Sequence, residues 1–357
     1  MTVYMPVLQA RQGELIALGK LDSAAVPLVQ PVLEAVCYKA GEPLWRAAMR
    51  LADLAAREVL KGTVVSVDCV HLDRHYGAAD QDGQTPMDAV AGALKQMLIP
   101  MRPVLRFAAT GGPSPQACEV AGELADAHGQ GACVRAVLRG WGEAGAVLAD
   151  QVAVAVDRLG CGPERLDLLL DLGPVTERSQ IPYAVRAAGR AVSALAGLPW
   201  RRTAVAAAAF PDSITSVPLG GSVPFARLDA DIWRQLKAGE QTWAGALSFG
   251  DYGVAGTRLP KPGVFRPAPN LRYTAPVCWH TYRYPTDAGG RFSTFYDLCR
   301  EVTGKLWWAG EAYSWGDAQI ALRAKGNGGP GGASQWRAFS LSHHLAVVLE
   351  ELGGVAC

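Results

Sequence analysis

Asp68, His71, Asp73 and His75 fall within eight residues, in the run DCVHLDRH. Carboxylate oxygens and imidazole nitrogens are the donors a divalent cation takes. Read as an extended segment, however, this run points Asp68 and His71 to opposite faces. Asp68 and His71 are therefore weak metal candidates, and a divalent metal is the only cofactor the residues suggest. A serine nucleophile needs a base beside it, and no GxSxG elbow surrounds Ser213 in FPDS. Asp212 or Ser213 there is expected to cap a following helix. Asp251 stands between small residues in SFGDYG, where a ligand can approach the backbone. His343 and His344 are adjacent on a helical run and diverge by about 100°. The loop GNGGPGGAS has the glycines of a phosphate cradle but lacks GK[ST], and no GxGxxG follows a strand, so a nicotinamide cofactor is not indicated.

Bulk properties narrow the classes. The 357 residues carry a formal net charge of +1, which gives no global field toward nucleic acid or an acidic membrane. Half are hydrophobic, enough for a large core. Eight cysteines are dispersed, with no CxxC pair and no zinc spacing. The N-terminal stretch has no basic region followed by an apolar one, and no apolar run reaches about 18 residues. The expectation is a cytoplasmic protein with reduced thiols and no membrane partner.

The elements that must position these residues recur in order. Short, continuously apolar runs (VYMPVLQA, AVPLVQPVLEAV, GTVVSVDCVHL, RPVLRFAA, ACVRAVLRGW, RLDLLLDLG, RRTAVAAAAFPD and GALSFGDYGVAG) alternate with helical patterns such as EPLWRAAMRLADLAAREVLK and FARLDADIWRQLKAG. Strands buried on both faces read this way, and helices of that length suit right-handed crossovers. Eight such units predict an α/β fold, a (β/α)8 TIM-like barrel over 1–256. The alternative is a doubly wound open sheet. Residues 257–357 change texture. A Pro-rich basic loop, an extra strand or hairpin RYTAPVCWHTYRYP, a helix FSTFYDLCREVTGKL and a closing helix WRAFSLSHHLAVVLEEL predict a C-terminal α+β extension packed on the barrel as one structural unit.

In a barrel the functional face is where strands end. The polar residues there are Arg11 and Glu14, Glu34, Asp68 and His71, Arg106, Arg139, Asp171, Asp212 and Ser213, and Asp251 and Tyr252. Carboxylates in a polar, partly desolvated mouth can serve as acid or base, with Asp171, Asp251, Glu34 and Tyr252 as the catalytic candidates. Arginines there would hold an anion by bidentate hydrogen bonds. The bland reading, that each caps a helix or pairs structurally, stands beside it. In the tail, tryptophans beside Arg258, Lys261, Arg266, Arg272 and Arg283 suit base stacking and core packing equally.

The ordered set YMPVLQARQGE, PVLEA, LDLLLDLG, FPDS, SFGDYG, RYT, SWGD and WRAFSLSHH resembles the phage T4 "beta protein" family from Tyr4 to about Leu349. The resemblance implies a phage-borne or antiviral defence component. It picks out Glu14, Glu34, Asp171, Asp212, Asp251, Tyr252, Arg272, Tyr273, Asp317, Trp336, Arg337, His343 and His344. Of these, Arg272, Tyr273, Trp336, Arg337 and His343 join the ligand-binding candidates. The expected function is binding of an anionic ligand, a nucleotide or nucleic-acid end, at the C-terminal mouth, with hydrolysis the reaction such a site would serve. The alternatives are a non-catalytic interaction module, whose partner would be a protein from a neighbouring defence gene, and an orphan metabolic barrel enzyme.

Overall fold

The computed structural model describes residues 3–39, 41–58, 63–79, 83–108, 111–138, 145–239, 246–259, 267–289 and 291–353. Eight parallel strands form one sheet: β1 (Val7–Gln9), β2 (Val32–Glu34), β3 (Val65–Asp68), β4 (Met101–Ala108), β5 (Ala132–Val137), β6 (Leu166–Pro174), β7 (Arg202–Ala208) and, after an intervening β8 (Gly221–Ala226), β9 (Leu247–Asp251). The sheet closes on itself through the residues before β1. Tyr4 bridges Phe249 in parallel, Met5 N–H donates to the Phe249 carbonyl at 2.8 Å, and Phe249 N–H donates to the Val3 carbonyl at 3.0 Å. The fold is thus an α/β (β/α)8-like barrel, as the alternation of apolar runs predicts, and not an open sheet.

The helices are α1 (Gln12–Gly19), α2 (Leu44–Glu58), α3 (Val70–Tyr76), α4 (Pro86–Gln96), α5 (Pro115–Ala127), α6 (Gly145–Leu159), α7 (Ile181–Leu195), α8 (Leu228–Ala238), α9 (Thr294–Thr303), α10 (Trp315–Ala324) and α11 (Ala333–Glu351). Small and branched side chains fill the barrel interior, among them Val7, Val32, Val104, Leu169, Ala204 and Ala206. Larger apolar groups fill the layer between strands and helices. On α11, Leu341, Leu345, Val348 and Leu349 belong to that same layer, so α11 occupies the place of the eighth barrel helix. The antiparallel sheet β10 (Asn270–Thr274), β11 (Cys278–Arg283) and β8 has its own cluster with α9, α10 and α11, built on Tyr273, Tyr282, Phe295, Trp336 and Phe339.

Two sequence expectations change. FPDS does not cap a helix: Ser213 makes a local turn with Thr215, and β8 intervenes before α8 begins at Leu228 rather than at Phe225. The third apolar run ends as a strand at Asp68, whose Oδ1 accepts the Val70 N–H at 2.9 Å and starts α3. His71 is therefore helical, and it turns into the barrel mouth instead of away from Asp68.

Candidate functional site at the barrel mouth

Strand register places the polar groups. Glu34 and Asp68 are partners across β2 and β3, and Arg106 and Arg135 are partners across β4 and β5. In-register neighbours share a face, so two carboxylates meet two guanidiniums inside the mouth. Arg135 lies at the centre and is fully buried. Its Nη1 donates to Glu34 Oε1 at 2.8 Å and Asp68 Oδ2 at 2.7 Å. Its Nε and Nη2 donate to Asp171 Oδ2 at 3.0 and 2.8 Å, and Nη2 also to the Tyr252 hydroxyl at 2.7 Å. Those contacts use all five N–H donors of a guanidinium. The Tyr252 hydroxyl in turn donates to Asp171 Oδ2 at 2.8 Å, and Asp171 Oδ1 accepts the Gly173 N–H at 2.9 Å.

His71 Nε2 meets Glu34 Oε2 at 3.1 Å, and His71 lines the cavity above. Burial alone would raise the Glu34 carboxyl, but Arg135 and His71 outweigh it and hold it down at about 2. Tyr252 is pushed well up by burial and by Asp171, despite Arg135, so its hydroxyl stays protonated. Among the described residues Arg106 makes only long ionic contacts, 3.5 Å to Asp68 and 3.9 Å to Glu34.

Above this layer opens a cavity of about 890 Å³, walled by Glu34, Asp171, Tyr252, His71 and Arg106, with Arg74, His75, Asp212 and Arg258 at its edge. That volume lies within the usual range for small-molecule sites. Asp212 is paired with Arg258 at 3.3 Å.

The structure therefore brings together Glu34, Asp68, His71, Arg106, Asp171, Tyr252 and Asp212, with Ser213 beside them in the chain. It separates others. Asp251 faces away from the mouth, because strand alternation turns Gly250 inward, where a Cβ would meet Ala206 and the Met5 carbonyl. Asp251 instead accepts from Tyr4 at 2.6 Å and meets His344 on α11 at 2.8 Å; burial would raise it, but these partners hold it low. His343, Tyr273 and Trp336 lie in the C-terminal cluster. There His343 Nδ1 meets Asp317 at 2.8 Å, and the Tyr273 hydroxyl donates to Asp317 at 3.0 Å. Arg337 pairs with Glu14 at 2.8 Å at the α1–α11 contact, and Arg11 stands at the N-terminus of α1. Arg272 lies over the Phe210 ring and donates to the Val254 carbonyl. Arg139, Lys261 and Arg266 lie outside the described residues.

Asp68 and His71 are not joined by further donors among the described residues into a metal-ligand group. No group of three or more His, Cys, Asp or Glu among the described residues could hold a metal ion. In the centre of the mouth the Arg135 guanidinium occupies the point on which Glu34, Asp68 and Asp171 converge.

Arg135 is the site residue that strand-end reasoning misses, because it sits mid-strand in ACVRAV. The signal was present all the same. A charge inside a continuously apolar strand must find buried partners.

The sequence profile of the Beta protein family matches residues 4–350, nearly the whole chain. The chain belongs to the Beta protein family. A search of curated proteins gave no match for this family member. Among solved structures it is similar to a mutant of atrazine chlorohydrolase TrzN from Arthrobacter aurescens TC1, complexed with zinc and atraton. That likeness has 15% identity and a TM-score of 0.29, and it covers 69% of this chain and half of the other. No described helix is long and apolar enough to cross a membrane.

Proposed function

We propose that this Beta protein family member binds an anionic ligand of nucleotide size in the barrel mouth, with His71 as the group that moves a proton. The observation that carries this reading is the distribution of unused hydrogen-bonding capacity. Arg135 is saturated, while Arg106 and Arg74 keep donors free toward the cavity among the described residues. A wall whose spare charged donors are guanidiniums selects phosphate or carboxylate.

His71 is set for acid–base work. Donation from Nε2 to the ionised Glu34 leaves a lone pair on Nδ1, the atom that would take a proton from water or a ligand hydroxyl. Hydrolysis of an ester of the bound anion is the reaction class this arrangement serves.

The test is isothermal titration with inorganic phosphate and with AMP at low salt. Arg106→Ala should weaken both by about tenfold or more, the loss expected for one charge-assisted contact. Arg165→Ala, which removes a surface arginine paired with Asp126, should change neither. Equal affinities for wild type and Arg106→Ala would exclude the reading.

A further inference from the structure

The charges of the mouth are layered by depth. Side-chain exposure rises from 1% at Asp171 and 4% at Glu34 to 8% at His71, 23% at Arg106 and 84% at Arg258. The floor is thus acidic, while the rim carries three guanidiniums against one carboxylate, Asp212, which pairs with Arg258. On the floor, Glu34, Asp68 and Asp171 carry three carboxylates against one guanidinium, and Arg135 has no donor left to offer an incoming group. An anion pushed down to that level would face carboxylates with nothing to bind it. An anion at the rim meets Arg106, Arg74 and Arg258.

The floor still has something to bind. Each carboxylate oxygen carries two acceptor sites. Among the described residues, Glu34 Oε1 and Oε2 have one close partner each, Arg135 and His71, and Asp171 Oδ1 has only the Gly173 N–H. Spare acceptors on ionised groups at the bottom of a cavity are matched by ligand hydroxyls, which are neutral donors. Arg135 and His71 keep Glu34 ionised against the effect of burial, which preserves its acceptor character at neutral pH.

We infer that the mouth takes its ligand in one polarity and that the ligand is a phosphorylated polyol. The phosphate sits at the rim on Arg106, Arg74 and Arg258, and hydroxyls reach down to Glu34 and Asp171. This rests on the reading that the mouth binds an anion, and it narrows the class from any nucleotide-sized anion to one bearing hydroxyls on the side opposite its phosphate.

The experiment is calorimetric titration of the full chain with four probes: inorganic phosphate, ethyl phosphate, ribose 5-phosphate and 2-deoxyribose 5-phosphate. Two hydroxyl-to-carboxylate bonds should make ribose 5-phosphate about tenfold tighter than ethyl phosphate. The deoxy sugar should fall between them. Asp171→Asn should shrink the sugar's advantage over ethyl phosphate. If that variant does not fold, the deoxy comparison on wild type decides alone. A ratio of ribose 5-phosphate to ethyl phosphate below about fivefold, with both binding, overturns this inference and leaves the anion reading intact. Binding of neither, with Arg106→Ala equally silent, overturns both.

Discussion

Arg135 shows at the residue scale why a buried charge belongs to the site's frame and not to its ligand. It ties Glu34, Asp68, Asp171 and Tyr252, from four separate parts of the barrel, to one group. Removing one partner of a buried ionic cluster typically costs about 3–5 kcal/mol, because the others are left uncompensated. Arg135→Met should therefore lower unfolding free energy in urea by that amount. Arg106→Ala, partly exposed and loosely paired, should cost under about 1 kcal/mol. A small loss for Arg135→Met would show that the carboxylates find other partners. Glu34 adds a pH dependence. Its folded value of about 2 lies below the unfolded value of about 4.3. The ionised form is favoured by folding, so its contribution of about 3 kcal/mol is present above roughly pH 5 and is lost as pH falls from there toward 2. Glu34→Gln should flatten the acid limb of the stability curve between those values; an unchanged limb would contradict the assignment. Residue types at strand ends foretold Glu34, Arg106, Asp171 and Tyr252. They did not foretell Arg135 or the outward turn of Asp251, because both depend on which strand face points inward.

The elements most easily read from sequence were those with continuous apolar runs, since a strand buried on both faces leaves no other pattern. The β10–β11 segment was legible as an extra strand or hairpin, its strands alternating between buried and half-buried positions rather than running continuously apolar. Three elements resisted. β8 carries Pro224 and lies at the edge of its sheet, where proline is tolerated but a strand signal is weak. α3 is only seven residues long and follows β3 almost directly. The role of α11 depends on the long chain segment that separates it from β9, which no local pattern encodes. Its anchoring is polar as well as apolar. His344 joins Asp251 of β9 and the Thr274 hydroxyl of β10, while its neighbour His343 joins Asp317 and the Thr274 carbonyl. If α11 is the eighth barrel helix, Leu345→Ala should cost about 2–5 kcal/mol in a single cooperative transition. A chain ending before Ala333 should lose the barrel's cooperative unfolding altogether. Retention of a normal barrel transition in that truncation would mean that the barrel stands without α11.

On the scale of the whole molecule, two ionic layers of opposite design cap the same barrel. At the N-terminal face a single buried carboxylate, Asp167, is surrounded by Arg102 at 3.1 Å, Arg201 at 2.8 Å and Arg202 at 3.5 Å. At the C-terminal face a single buried guanidinium is surrounded by three carboxylates. The first lies at the barrel face that usually serves stability. The second lies under an 890 Å³ cavity edged with cations. The central claim is that this edge holds an anion. Soaking crystals with tungstate and locating it by anomalous scattering tests that claim most directly. A peak within hydrogen-bonding reach of Arg106 and Arg74, lost in the Arg106→Ala protein, is the result expected here. A mouth without tungstate while the anion occupies another part of the surface would contradict it.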